Sequence, residues 1–155
     1  MPASTGFTGQ GTILQVRNSA SPPVYVPVAQ LRTIQRSGPK TGTVKITNFD
    51  SPNAYEEIRP AIISPGDISA SGVLPQGVDI GGTAAGLQAL QDARTLATWQ
   101  IIEPPTSLLA GQTTPGTWTF TAYCSELAFD IAYEKESSFS LKLSVSGAYS
   151  FTPAS

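Results

Sequence analysis

The last third of the chain alternates between apolar and polar residues three times in succession. Trp118, Phe120, Ala122 and Cys124 are interleaved with Thr117, Thr119, Thr121 and Tyr123. Leu127, Phe129, Ile131 and Tyr133 are interleaved with Ala128, Asp130, Ala132 and Glu134. Phe139, Leu141, Leu143 and Val145 are interleaved with Ser138, Ser140, Lys142 and Ser144. Successive side chains on a strand point to opposite faces, so each run predicts an antiparallel strand with one apolar, inward face and one wetted face. Strands of this kind need a second layer to cover them, which predicts a mainly β, antiparallel sandwich or barrel.

The rest of the sequence fits that class. Residues 11–17 predict a strand with Leu14 and Val16 on one face and Ile13, Gln15 and Arg17 on the other. Val24, Val26 and Val28 alternate with Tyr25, Pro27 and Ala29, and Pro27, lacking an N–H, confines that strand to an edge. Further short strands are expected at 31–35 (Leu31 and Thr33 opposite Arg32 and Ile34), 43–47, 67–74 (Ile68, Ala70 and Gly72 opposite Ser69, Ser71 and Val73) and 98–103. Only residues 84–96 suit a helix: Ala84, Leu87, Leu90 and Ala93 form a stripe, and Thr83 is placed to cap it. That stripe predicts a small helix packed as a lid on the sandwich through Leu87 and Leu90. Residues 48–58 are polar and turn-rich and read as a long loop inside one domain, 11–150. The stretch 1–10 reads as a flexible arm and 151–155 as a tail.

Composition removes most chemistries. In 155 residues there is no His, which excludes histidine general bases, Ser-His-Asp triads and His-containing zinc sites. The lone Cys124 excludes an internal disulfide and a multi-cysteine metal site, and its position predicts a buried apolar filler. No nucleotide-binding glycine motif or nucleophile elbow is present. Glu56 and Glu57, as neighbours on an extended chain, point apart and make a poor carboxylate pair. No enzyme activity, cofactor or metal is expected. No apolar run approaches the roughly 18–20 residues of a membrane-spanning helix. Nine basic and eleven acidic residues do not make a general nucleic-acid binder. The charges are segregated: residues 1–60 hold six basic and three acidic groups, residues 61–155 three and eight. Two electrically distinct patches suit a subunit that associates with itself.

The stretch KITNFDSPNAYEEIRPAIISPGD, residues 45–67, resembles a region of the tail tube proteins of bacteriophages with long, non-contractile tails, with Thr47, Asn48, Asp50, Ser51, Glu57, Gly66 and Asp67 at the matching positions. The order of the remaining segments is similar too: a Gly-rich stretch, the helix, Trp99-Gln100-Ile101, Trp118-Thr119-Phe120, and a closing strand with Ser146-Gly147. The chain departs from that pattern at residues 60–64. The resemblance implies a structural subunit that forms rings, hexameric in that family, stacked into a tube whose lumen conducts double-stranded DNA without binding its sequence. It implies that the loop formed by Phe49, Asp50, Ser51, Pro52, Asn53, Ala54, Tyr55, Glu56 and Glu57 reaches neighbouring subunits or the next ring. It further implies an acidic lumen, partners among tape measure, tail terminator and distal tail proteins, no membrane insertion, assembly in the host bacterial cytoplasm and a final place in the virion tail. Tail terminators and head–tail connectors share the same features and remain alternatives. From the residues alone, a carbohydrate- or peptide-binding sandwich using Tyr25, Tyr55 or Tyr123 stays open.

Overall fold

The computed structural model describes residues 9–17, 22–28, 31–46, 57–73 and 87–155. Among these, nine strands and one α-helix follow the order β1 (Ile13–Arg17), β2 (Tyr25–Pro27), β3 (Leu31–Arg36), β4 (Lys40–Lys45), β5 (Ile58–Ser64), β6 (Asp67–Val73), α1 (Leu87–Ala93), β7 (Ala97–Ile102), β8 (Thr117–Asp130) and β9 (Ser138–Thr152). Seven strands form one antiparallel sheet in the order β2-β1-β7-β8-β9-β6-β3, and β4 and β5 form a second, two-stranded sheet. This is the mainly β, sandwich-like architecture with one flanking helix that the alternation predicts.

The two long strands organise the molecule. The first half of β8 pairs with β7, the first half of β9 pairs with β6, and β8 and β9 pair with each other along their whole length. Their inward residues form the core: Phe120, Ala122 and Cys124 from β8, and Phe139, Leu141, Leu143 and Val145 from β9. Leu14, Val16, Ile68, Ala70 and Trp99 complete it from β1, β6 and β7. Trp99 is buried together with its polar atom, which donates to the Ala122 carbonyl at 3.2 Å. That bond removes the cost of an unsatisfied indole N–H.

Two runs expected as separate strands, Trp118–Cys124 and the run from Leu127, belong to the single strand β8. The inward positions switch from even to odd numbers between Cys124 and Leu127, and a bulge absorbs the switch: Cys124 faces Leu143 while Glu126 faces Lys142, leaving Ser125 as the extra residue. Ser125 Oγ donates to the Lys142 carbonyl at 3.0 Å and fastens the bulge. Ile131 and Tyr133 do not point inward as the alternation predicts. The strand ends at Asp130, and both side chains stand in solvent. A second bulge, near Arg32, sets Leu31 and Ile34 both against the core, although strict alternation places them on opposite faces.

The helix stops at Ala93, short of the expected residue 96, because Arg94 takes a positive φ of 52°. Its Leu87 is buried and Leu90 half-buried, and it packs on β8. Ala93, expected on the stripe, is exposed. At the other end of the chain β9 runs through Phe151 and Thr152, residues expected as tail, and the Ser155 carbonyl accepts from the Thr113 and Thr114 amides at 2.8 Å.

Candidate functional site

The segment that flanks the expected loop is an arm. The β3–β6 register carries across the break into the start of β4–β5, where Arg36 faces Ile68 and, four residues further out, Lys40 faces Ser64; a bulge between Thr41 and Thr43 then shifts the pairing by one residue. The edge of the large sheet therefore continues outward as a two-stranded ribbon. Pro39 and Pro65 lie at the junction, and neither has an N–H to extend the ladder. Gly66 turns the chain there with a φ of +82°. Beyond the junction β4 and β5 pack on each other, and no other described element makes more than a marginal contact with them.

Among the described residues, nothing in the subunit covers the arm's apolar side chains. Val44, Ile58, Ile62 and Ile63 are all exposed, Ile62 at 89%. Residues directly opposite in an antiparallel pair share a face. Ile58, Pro60 and Ile63 therefore line one face with Lys45, Thr43 and Thr41, while Arg59 and Val44 lie on the other. Of the loop residues expected to contact neighbours, only Glu57 is described: its carbonyl accepts from the Ile46 amide at 3.0 Å, continuing the ladder. Phe49 to Glu56 and the expected cap Thr83 lie outside the described residues.

A second apolar surface lies at the turn between β8 and β9. Phe129, Ile131 and Tyr133 are exposed there, Ile131 at 76%. Around them stand Asp130, whose carboxylate is 3.5 Å from Lys135, Glu136, which pairs with Arg32 of β3, and Glu134, which makes no ion pair among the described residues. Sequence reasoning missed this tip, since the alternation assigned Ile131 and Tyr133 to the core. The run of charges Glu134-Lys135-Glu136, followed by Ser137-Ser138, is the signal that argues for it.

The outer face of the large sheet is rich in hydroxyls. Thr33 and Ser71 share a hydrogen bond at 2.5 Å, and Ser69, Ser140 and Gln35 lie beside them. Lys142, the cation of this region, sits 3.7 Å from the Asp67 carboxylate, with Glu126 across the ladder. Tyr25 and Tyr123 stand on strands three positions apart in the sheet, and Tyr55 is outside the described residues, so the three tyrosines are not brought into one groove by what is described. Cys124 is buried, its thiol pushed up to about 11 by loss of solvent, with a weak bond to the Glu126 carbonyl acting in the opposite direction. Among the described residues no group of His, Cys, Asp and Glu has the arrangement of a metal site.

Beside the root of the arm, the Arg36 guanidinium lies 3.6 Å from the centre of the Tyr149 ring and 5.3 Å from that of Trp118. Trp118 also packs on Phe151 at 4.5 Å and donates to Glu103 at 3.3 Å. Arg36 is the last residue before the arm's junction, so this stack ties the arm's root to both long strands.

No family model matches the chain. No curated protein matches it either. Solved structures do. A chain from the tail of an empty gene transfer agent (GTA) particle, refined with C6 helical symmetry, is 19% identical over 95% of this chain and 99% of its own, with a TM-score of 0.64. The SPP1 tail tube is 12% identical over 96% of this chain and 80% of its own, with a TM-score of 0.65. The sheath–tube complex of the extracellular contractile injection system PVC is 11% identical over 96% and 92%, with a TM-score of 0.64. Contractile systems thus stand beside the SPP1 tail tube, and the likeness does not single out the non-contractile tails that the resemblance suggested. At these identities, and over nearly the whole chain, the relationship is one of fold: this protein has the fold found in tail and tube assemblies.

Proposed function

We propose that this chain is a structural, non-catalytic subunit that assembles with copies of itself into the tube of a phage tail or a related injection particle. The observation that carries the proposal is the arm. A two-stranded ribbon with exposed isoleucines gains little by standing in water, and about 25 cal/mol per Å² of apolar surface is recovered when a neighbour covers it. Its root is built with a matched register and a dedicated junction, so its projection is specified by the sequence. Among the described strands, the large sheet also ends in two open edges, β2 and β3. Such edges invite pairing with a neighbouring copy.

On this reading the subunits form rings, six to a turn, that stack into a hollow tube, and residues 49–57 at the far end of the arm contact the adjoining subunit or ring. The lumen conducts DNA. A hydroxyl-rich sheet face whose Lys142 is already paired with the Asp67 carboxylate offers phosphates few cations to hold, so a duplex slides past it. Tape measure, terminator and distal tail proteins are the expected partners, the assembly site is the host cytoplasm, and the final location is the virion tail.

A second reading has direct support from the fold comparisons. A sheath/tube terminator of the PVC injection system matches with a TM-score of 0.65, and the tube-terminating cap of the anti-feeding prophage with 0.66. A terminator closes a tube and does not propagate one. Negative-stain microscopy of the purified protein across a concentration series separates the two. Tubes of indefinite length support the tube subunit, single rings support the terminator, and a monomer at every concentration, with or without tube seeds, overturns both.

A further inference from the structure

Resting on the tube reading, we infer that the arm of one copy docks, head to tail, on the β8–β9 tip of another copy. The arm and the tip sit at opposite ends of the same strands. β6 begins at Asp67, beside the arm's junction, and ends at Val73, which faces Ser138; Ser138 in turn faces Asp130 at the tip. Seven residues of strand separate the two ends by roughly 23 Å, and the arm projects away from the sheet. They cannot meet within one molecule, so a contact between them joins two copies through unlike surfaces. A contact of that kind repeats, closing into a ring or running on as a stack.

The two surfaces are complementary in chemistry. Each presents exposed apolar side chains, Val44 on the arm face that carries Arg59, and Ile131 and Tyr133 on the tip. That arm face carries Arg59 and, by alternation from Thr41, Lys40, with Glu57 at its loop end; Lys45 lies on the opposite face beside Ile58. The tip carries Asp130, Glu134 and Glu136; Lys135 and Arg32 engage two of these, and Glu134 is left to meet a cation from outside. Apolar contact supplies the affinity, and the opposed charges select the head-to-tail register over arm-to-arm pairing.

The test uses the full chain. Cys124 is its only cysteine and is buried, so introduced thiols read out cleanly. Val44→Cys and Tyr133→Cys proteins are mixed and bridged with a short bismaleimide, with Gln35→Cys replacing Tyr133→Cys as the control. The expected result is a covalent dimer at least about fivefold more abundant in the mixture than in either variant alone or in the control. In parallel, Arg59→Glu and Glu134→Arg should each raise the concentration needed for assembly roughly tenfold, and combining both in one chain should recover most of the loss. Tubes that form without the Val44–Tyr133 crosslink overturn this contact and leave the tube reading standing. A crosslink without tubes upholds the contact and overturns the tube. Absence of both overturns both.

Discussion

Ser37 and Asp67 are joined three times at the root of the arm. The Ser37 amide donates to the Asp67 carbonyl at 2.9 Å, the Ser37 hydroxyl donates to the same carbonyl at 3.0 Å, and the Asp67 amide donates to that hydroxyl at 2.7 Å. One serine thereby carries the ladder across the gap that Pro39 and Pro65 leave. The orientation of the arm is set at this point, with Arg36 held on Tyr149 immediately before it and Gly66 turning the chain immediately after.

Gly66→Ala tests that root most sharply. A Cβ there would collide with the Ser37 carbonyl oxygen, and the backbone φ is +82°. Both the contact and the left-handed conformation penalise any side chain, by about 2 kcal/mol or more in total. The core does not touch this position, so the body keeps its fold and tryptophan emission while the arm is re-aimed. Assembly, followed by light scattering, is expected to fail. Ser37→Ala is milder, costing about 1 kcal/mol in urea unfolding and speeding hydrogen exchange at the Asp67 amide.

Much of the fold is legible because burial imposes its period on the sequence. Leu14 and Val16 in β1, Ile68 and Ala70 in β6, and Phe139, Leu141 and Leu143 in β9 all lie inward as their spacing predicts. Alternation fails where it reports composition in place of burial: it carries on through Ile131 and Tyr133 after the strand has ended. It is also blind to bulges, which is why β8 reads as two strands and why Leu31 and Ile34 read as facing apart. The arm is hidden for a related reason. Ile62 and Ile63 are large apolar residues whose place the sequence leaves open, and the pairing of β4 with β5 beyond β3 and β6 reveals that they lie outside the large sheet. Of the candidate residues, Leu87 is buried and Leu90 half-buried against the core. For residues 49–56 the polar composition argues a loop, and their role rests on the proposal above.

Arg36→Ala removes the cation stacked on Tyr149 and Trp118. The pair of contacts is partly exposed, and about 1 kcal/mol of stability should be lost. Arg36→Lys keeps the charge but not the flat surface that stacks, and should recover less than half. Urea midpoints measure both. Because the stack lies at the root of the arm, Arg36→Ala should also weaken assembly, whereas a substitution of equal cost in the distant core would not.

Cys124 predicts a pH response. Its thiol is pushed up to about 11 from an ordinary value of 9.0, chiefly by burial. The unfolded chain therefore releases this proton at lower pH than the folded one. Stability from this group is complete below about pH 9, declines as pH rises above it and is lost through about pH 11. Cys124→Ala should flatten the fall measured by urea unfolding in that window. At pH 8 the native thiol should react with iodoacetamide far more slowly than the thiol of the urea-unfolded chain.

The bulge at Ser125 offers a way to move the tip without disturbing the core. Deleting Ser125 leaves Cys124 inward, Glu126 outward and Leu127 inward, so alternation is preserved and Leu127 and Phe129 still face Leu141 and Phe139. What disappears is the local bend of β8 and the Ser125 bond to the Lys142 carbonyl. The strand then runs straight into the β8–β9 turn, and Ile131, Tyr133 and Glu134 point in a new direction. The deletion should retain the β-sheet circular dichroism spectrum and a single cooperative unfolding transition, at a cost of about 1–2 kcal/mol. Assembly should require a much higher concentration, seen by sedimentation velocity. If the deleted protein assembled at the wild-type concentration, the direction of the tip would have no part in joining the subunits.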